Sequence, residues 1–325
     1  MQRLKAIDRG SIFFAPMEGI TEESYRKTIE ELYPEWDYLA TDFLRVPAAG
    51  RYPLKFLVKH FGEDLYRNSE MLQKTFFQIL TSHKSFTLDV VSQVKELNLP
   101  WLDINLGCPS KTVCKNGGGS FLLQDLPRLR ELLASIRKNF DGRLSAKVRI
   151  GYHHTNDFDE IIKIVTGEGV DLITVHGRTR DDMYSVPARW EYIARAVELS
   201  PVPVIGNGDI WDYQDASQMM EQTGCFGVMV ARGALKAPWM AREFKQNLSF
   251  SHEQIINEIK SFFQSYRQNL ISSGITERGL LKQSKSVSRF MFEKLPEGEK
   301  MRRELLLSQT STEFFEKLFR LEMSH

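Results

Sequence analysis

Residues 127–176 read PRLRELLASIRKNFDGRLSAKVRIGYHHTNDFDEIIKIVTGEGVDLITVH. Leu129, Leu132, Leu133 and Ile136 fall on one helix face, so the spacing predicts a helix over 127–138 and a second over 158–168. The apolar runs 145–150 and 172–176 between and after them read as strands. A strand–helix–strand order implies parallel neighbours joined by a helical crossover. The same alternation continues outward, with strand-like runs at 12–17, 38–46, 75–80 and 102–106 before it and 203–207 and 227–231 after it. Eight such units in roughly 240 residues are the number and size of a closed (β/α)8 TIM barrel, with an open doubly wound sheet as the alternative. Beyond about Ser249 no strand-like run occurs, and breaks near Ser273-Gly274 and Pro296-Glu297-Gly298 divide the remainder into helices. The expected organisation is an α/β TIM barrel over 1–245 followed by an all-helical domain over 246–325.

Composition narrows the function. Among 325 residues, 42% hydrophobic and 26% charged content excludes a disordered chain. The longest apolar run near the start, 12–17, is too short for a membrane span or a signal core, so a cytoplasmic protein with no membrane partner is expected. Three cysteines with no CxxC pair and no neighbouring histidine ladder leave neither a disulfide framework nor a metal site. Forty-three basic against forty-two acidic side chains give a net charge of +1, which selects no partner, and no oligomer is implied.

Barrel enzymes place their chemistry at the C-terminal ends of the strands. Those ends carry Glu18 after Ala15-Pro16-Met17, then Asp42 with Arg45, Gln78, Asn105 before Cys108, Lys147 with Arg149, His176, Asn207-Gly208-Asp209 and Ala231-Arg232-Gly233. Lys147 and Gln78 lie inside apolar strands, where a polar head needs a partner: for Lys147 a ligand anion or a structural ion pair. The loops after strands seven and eight, glycine-bearing and with Arg232, suit a phosphate. Pro109 holds Cys108 extended and so directs its thiol, whereas Cys225 beside Phe226 reads as space-filling. Cys114 fits either part. The run Gly117-Gly118-Gly119 either hugs a ligand or turns the chain.

The global charge conceals a local one. Between Arg278 and Arg303 eight basic residues face three acidic ones, and Arg278, Lys282, Lys285 and Arg289 recur at the spacing of one helix face. The stripe is either a solvated surface or a binding face for an anionic partner, nucleic acid above all.

The motifs Ala15-Pro16-Met17-Glu18-Gly19, Thr41 to Arg45, Asn105-Leu106-Gly107-Cys108-Pro109-Ser110-Lys111, Lys147-Val148-Arg149, His176-Gly177-Arg178-Thr179 and Asn207-Gly208-Asp209-Ile210 resemble those of the tRNA-dihydrouridine synthases, in the family's order. Thr41 to Val46 and Asp209-Ile210-Trp211-Asp212 are most similar to the bacterial subfamily acting at uridine 16. Ala231 departs from a usual glycine, Ser120 from a usual alanine, and Gln283 from a usual basic residue. The resemblance implies an FMN barrel re-reduced by NADPH and followed by a tRNA-binding domain. Pro16, Met17, Glu18, Gln78, Lys147, His176, Asn207, Gly208, Asp209, Ala231 and Arg232 would then contact the flavin. Arg45, Asn105, Tyr184, Lys282, Lys285 and Arg303 would face the tRNA.

The implied reaction reduces the C5=C6 bond of a D-loop uridine, with hydride from flavin N5 to C6 and a proton from Cys108 to C5. An ordinary thiol, with pKa about 8.5, keeps that proton at neutrality, and Lys111 nearby is expected to lower the value. Two alternatives stand beside this reading: an FMN barrel acting on a free pyrimidine, as dihydroorotate and dihydropyrimidine dehydrogenases do, and a non-catalytic RNA-binding protein on a barrel scaffold.

Overall fold

The apolar runs become nine strands: β1 (Ser11–Phe14), β2 (Tyr38–Ala40), β3 (Leu44–Arg45), β4 (Thr75–Leu80), β5 (Trp101–Leu106), β6 (Arg143–Arg149), β7 (Leu172–His176), β8 (Val204–Asn207) and β9 (Gly227–Val230). The computed structural model describes residues 4–48, 50–82 and 86–321. All the ladders are parallel. They run β2-β1-β9-β8-β7-β6-β5-β4, and β2 also pairs with β4, which closes an eight-stranded barrel rather than an open sheet. Helices cover its outside, among them Leu126–Asn139 and Phe158–Gly167 close to the predicted positions.

One predicted strand is corrected. The run 38–46 is two strands, because after Thr41, whose N–H still donates to the Phe76 carbonyl, Asp42 and Phe43 leave the ladder. The Asp42 carboxylate accepts from the Gly19 and Phe43 N–H groups, both at 2.8 Å, so a side chain supplies what a neighbouring strand would. Beyond the break, β3 pairs with β4 alone and stands outside the ring of eight.

Alternate residues of each strand face inward. At the bottom Phe13, Phe76 and Trp101 close the barrel, with Phe76 and Trp101 ring centroids 5.2 Å apart. Above this apolar plug the inner face of β5 carries Asp103 and then Asn105, so the interior grows more polar toward the C-terminal mouth.

The described residues beyond Gln246 form four helices: His252–Ser272, Glu277–Ser288, Gly298–Leu306 and Ser311–Phe319. The first opens with a capping box in which Ser251 and Gln254 satisfy each other's backbone N–H groups. It docks on the first barrel helix, Glu23–Leu32, through Tyr25 against Phe262 and Tyr266 at ring centroid distances of 5.5 and 5.9 Å. Asn269 donates to Thr28 Oγ1 and Glu31 Oε2 at the same contact. Among the described residues no helix is long and apolar enough to cross a membrane.

Candidate active site

A cleft of about 1070 Å³, counting the space at its open mouth, lies at the C-terminal ends of the strands. Its walls include Pro16, Met17, Glu18, Asn105, Cys108, Lys147, His176, Tyr184, Asn207, Gly208, Asp209, Ala231 and Arg232, all read from the sequence as site residues. Two predicted barrel residues do not line it. Gln78 is fully buried, its amide engaged by Asp103 and Asn105. Arg45 sits at the exposed rim, paired with Glu18 at 3.2 Å. Lys282, Lys285 and Arg303 lie on the C-terminal helices, away from the cleft lining.

One side of the cleft is cationic. Lys147 Nζ donates to Asn207 Oδ1 at 2.9 Å, and Asn207 Nδ2 donates to the Met229 carbonyl. Of the two partners the sequence allowed, the structural ion pair is not found among the described residues: an amide oxygen receives the ammonium. Burial brings the Lys147 pKa down to about 8, helped by Arg149 and opposed by Asp103. His176 is buried, and its pKa falls well below the usual histidine value through that burial and then the nearby Lys147, Arg149, Arg178 and Arg232. It is therefore a neutral imidazole inside a ring of cations.

The loop after β8 is shaped for close approach. Gly208 has φ +120°, and a Cβ there would come within 2.9 Å of the His176 ring. Asp209, at φ +53°, receives both terminal bonds of Arg178 Nη2, at 2.8 and 2.6 Å, together with the Ala188 N–H. Its charge is thereby used inside the protein. Arg232 heads the short helix Arg232–Lys236 and lies over the Tyr184 and Trp211 rings, 4.4 and 4.5 Å from their centroids. Tyr184 remains 55% exposed above the cleft, available to stack on an incoming ring.

Next to Lys147, and across the cleft from Arg232, the loop after β5 holds the thiol. Both backbone N–H groups of Gly107-Cys108 donate to Asn105 Oδ1, at 3.1 and 2.9 Å. The Gly107 carbonyl accepts from Arg149 Nε and the Cys108 carbonyl from Ser120 Oγ. All four polar backbone groups of the dipeptide are thus engaged, and the half-buried Cys108 side chain is held in place. Gly119, at φ +57°, passes so close that a Cβ would lie 3.0 Å from Cys108 Cβ, so the glycine run packs beneath this loop. Cys114 is buried in the same support, near Ser120 Oγ, and Cys225 fills space in the core. Burial pushes the Cys108 pKa up, with the Ser110 N–H and Arg45 pulling the other way. The lowering expected from Lys111 does not prevail: Lys111 is exposed to solvent, and burial of the sulfur dominates.

The sequence model of the dihydrouridine synthase family matches residues 13–322. The chain belongs to this family. It is 30% identical over 308 residues to a tRNA-dihydrouridine(16) synthase of Shewanella oneidensis, covering 93% of this chain and 95% of the relative. A Haemophilus influenzae protein of the same description is 31% identical over 84% of this chain and 88% of its own. A tRNA-dihydrouridine(47) synthase-like protein of Xenopus tropicalis is 33% identical over 61% of this chain but 34% of its own length. Histamine dehydrogenase from Rhizobium sp. 4-9 superposes with TM-score 0.55 and 11% identity over 78% of this chain and 48% of that one, a likeness of fold alone.

As a dihydrouridine synthase family member, the chain is an oxidoreductase. Sequence reasoning missed three of its cleft-building residues. Arg178 was quoted only within a motif, although its bidentate bond to Asp209 shapes the loop after β8. Trp211 likewise stood only within a motif, with no role, yet Arg232 lies over its ring and Lys236 Nζ is 4.3 Å from its centroid. Asp103, an acid between Leu102 and Ile104, had the same signal as Lys147, a charge inside an apolar strand, and passed unread.

Proposed function

We propose that this chain reduces the C5=C6 bond of a tRNA uridine to 5,6-dihydrouridine, with FMN bound in the cleft, NADPH as reductant and D-loop uridine 16 as target. The observation that carries this reading is one cleft that holds both a fixed thiol and a set of cations running from Lys147 beside it to Arg232 across from it. Cys108 follows β5 and Arg232 follows β9, strands that lie half-way round the ring from each other. Relatives described as acting at position 16 and covering most of the chain support the target.

The donor set fits a phosphate-bearing, ring-shaped cofactor. Lys147 and Arg232 supply charge, Gly208 leaves room beside the neutral His176, and Pro16, Met17 and Ala231 add an apolar edge. When bound and reduced, the flavin supplies hydride. The chain's own part is the proton. Burial holds the Cys108 thiol protonated at neutral pH, and the backbone bonds around it keep that residue at the cleft wall, from where it would supply the proton to C5 of the uracil.

A uridine inside folded tRNA reaches this mouth only after leaving its stack, and backbone contacts must offset that cost. Arg278, Lys282 and Lys285 on Glu277–Ser288, with Arg289 at its C-terminal cap, form an open basic stripe, and among the described residues none of them is in an ion pair. We assign them, with Arg303, Arg45 and Tyr184, to the tRNA, and take residues 246–325 as the domain that carries the stripe.

The purified protein is expected to be yellow and to restore dihydrouridine at position 16 in tRNA from a strain lacking the gene, whereas Cys108→Ala forms it slowly. Reduction of free uracil or orotate without RNA would select the free-pyrimidine alternative, and a colourless protein would remove the flavin from the reading.

A further inference from the structure

Asp103 is 2% exposed, lies one layer below the cleft floor, and among the described residues is in no ion pair. Ser145 Oγ donates to its Oδ1 at 2.5 Å while accepting from Trp101 Nε1. Gln78 Nε2 donates to its Oδ2 at 2.7 Å. The other end of the Gln78 amide, Oε1, accepts from Asn105 Nδ2 at 2.9 Å, which leaves Asn105 Oδ1 to accept from the Gly107 and Cys108 N–H groups.

Two amides in series form a chain with a direction, and both ends demand the same one. Backbone N–H groups only donate, and a carboxylate only accepts. Turning both amides over would set an NH2 group against two N–H donors and a carbonyl against the carboxylate. The Gly107 and Cys108 N–H groups dictate the direction at the loop end, and at the buried end Asp103 anchors it with a charge-assisted bond from Gln78 that a neutral acceptor makes more weakly. Packing does not call for the acid, since enclosing a carboxylate in a barrel is costly and an apolar side chain fills the layer better.

We propose that Asp103 is a positioning residue: through Gln78 and Asn105 its charge anchors the hydrogen-bond chain that holds the Cys108 loop and its thiol in place. The inference rests on the reading of Cys108 as proton donor. Around the carboxylate stand Gln78 from β4 and Ser145 and Lys147 from β6, and Lys147 is the ionisable member of that group. Burial raises the Asp103 pKa to about 6, against the smaller effects of Ser145, Gln78 and Lys147. Below that pH the carboxyl gains a proton, the bond from Gln78 loses its charge assistance, and the anchor on the Cys108 loop loosens.

The test labels Cys108 in the flavin-loaded protein with dithiodipyridine from pH 4.5 to 8, reads the Cys108 peptide by mass spectrometry, and measures single-turnover dihydrouridine formation on tRNA with the pre-reduced protein. We expect the wild-type rate per thiolate to step near pH 6, and Asp103→Asn to abolish the step. The same variant should lower single-turnover formation on the order of ten- to a hundredfold at pH 7.5 with flavin absorbance unchanged. The wild-type labelling curve decides the matter even if the variant does not fold. A flat wild-type curve, or a variant that labels and turns over like wild type, overturns the assignment to Asp103 while dihydrouridine still forms. A step near pH 6 in a protein that makes no dihydrouridine on any tRNA would instead remove the proposed function and leave the positioning network standing.

Discussion

At Lys147 an ordinary residue acquires a pH dependence from its surroundings. With its pKa brought down to about 8, the ammonium is charged at pH 7 and loses its proton as the pH rises through that value. Anion binding to the cleft must then take up a proton, so cofactor Kd should rise roughly tenfold per pH unit above 8. Fluorescence titration with FMN checks this, and Lys147→Met should bind weakly with no such slope. Asp103 works in the opposite direction. Its folded pKa of about 6 lies above the unfolded value of about 3.9, so its full stability contribution is present below pH 4 and is lost as the pH rises through 6. The charge should cost about 3 kcal/mol at neutrality. Urea unfolding of Asp103→Asn should therefore show a stability gain over wild type at pH 7.5 that is absent at pH 4. The sequence marked Lys147 because a charge among aliphatic residues needs a reason, and the same logic applied to Asp103 would have found it. What the sequence hid was the partner: nothing in the chain order brings Gln78, Asn105 and Ser145 around one carboxylate, since parallel register does that.

The elements were more legible than their ends. Strand runs and helical spacing predicted the eight-unit barrel and the change of pattern after Ser249, because both depend on periodicities carried by several residues at once. The break at Asp42 and Phe43 was not legible, since it depends on a carboxylate reaching Gly19, 23 positions earlier. The loop after β8 is similarly constrained. Gly208→Ala would put a methyl group against the His176 ring at a positive φ, and it should reduce cofactor retention, read from the absorbance of the purified protein, while leaving the far-UV circular dichroism intact. The stripe on Glu277–Ser288 was legible from i, i+4 and i+7 spacing alone, and the structure leaves it exposed or half-buried. Reversing Lys282, Lys285 and Arg289 to Glu should weaken tRNA binding and flatten the plot of log Kd against log salt by roughly two to three, with flavin content unchanged.

Across the whole molecule the barrel and the C-terminal helices share a core. Tyr25, Phe262 and Tyr266 are fully buried where His252–Ser272 lies on Glu23–Leu32, and Arg242 bridges to Glu35 and Glu258 beside them. Tyr266→Ala should therefore cost about 3–4 kcal/mol and lower the stability of the barrel itself, seen as one shifted transition in urea rather than a selective loss of the appendage. The same contact joins positions far apart in the chain, as does the β1–β9 ladder: Ser24 bonds to Asn269, 245 positions later. During synthesis at about 5–20 residues per second, the greasy flank of the first helix would wait on the order of ten to fifty seconds for its cover to leave the ribosome. Throughout that interval the nascent chain is a natural client for chaperones, and a stalled or truncated product would carry a permanent mark for degradation on its oldest helix.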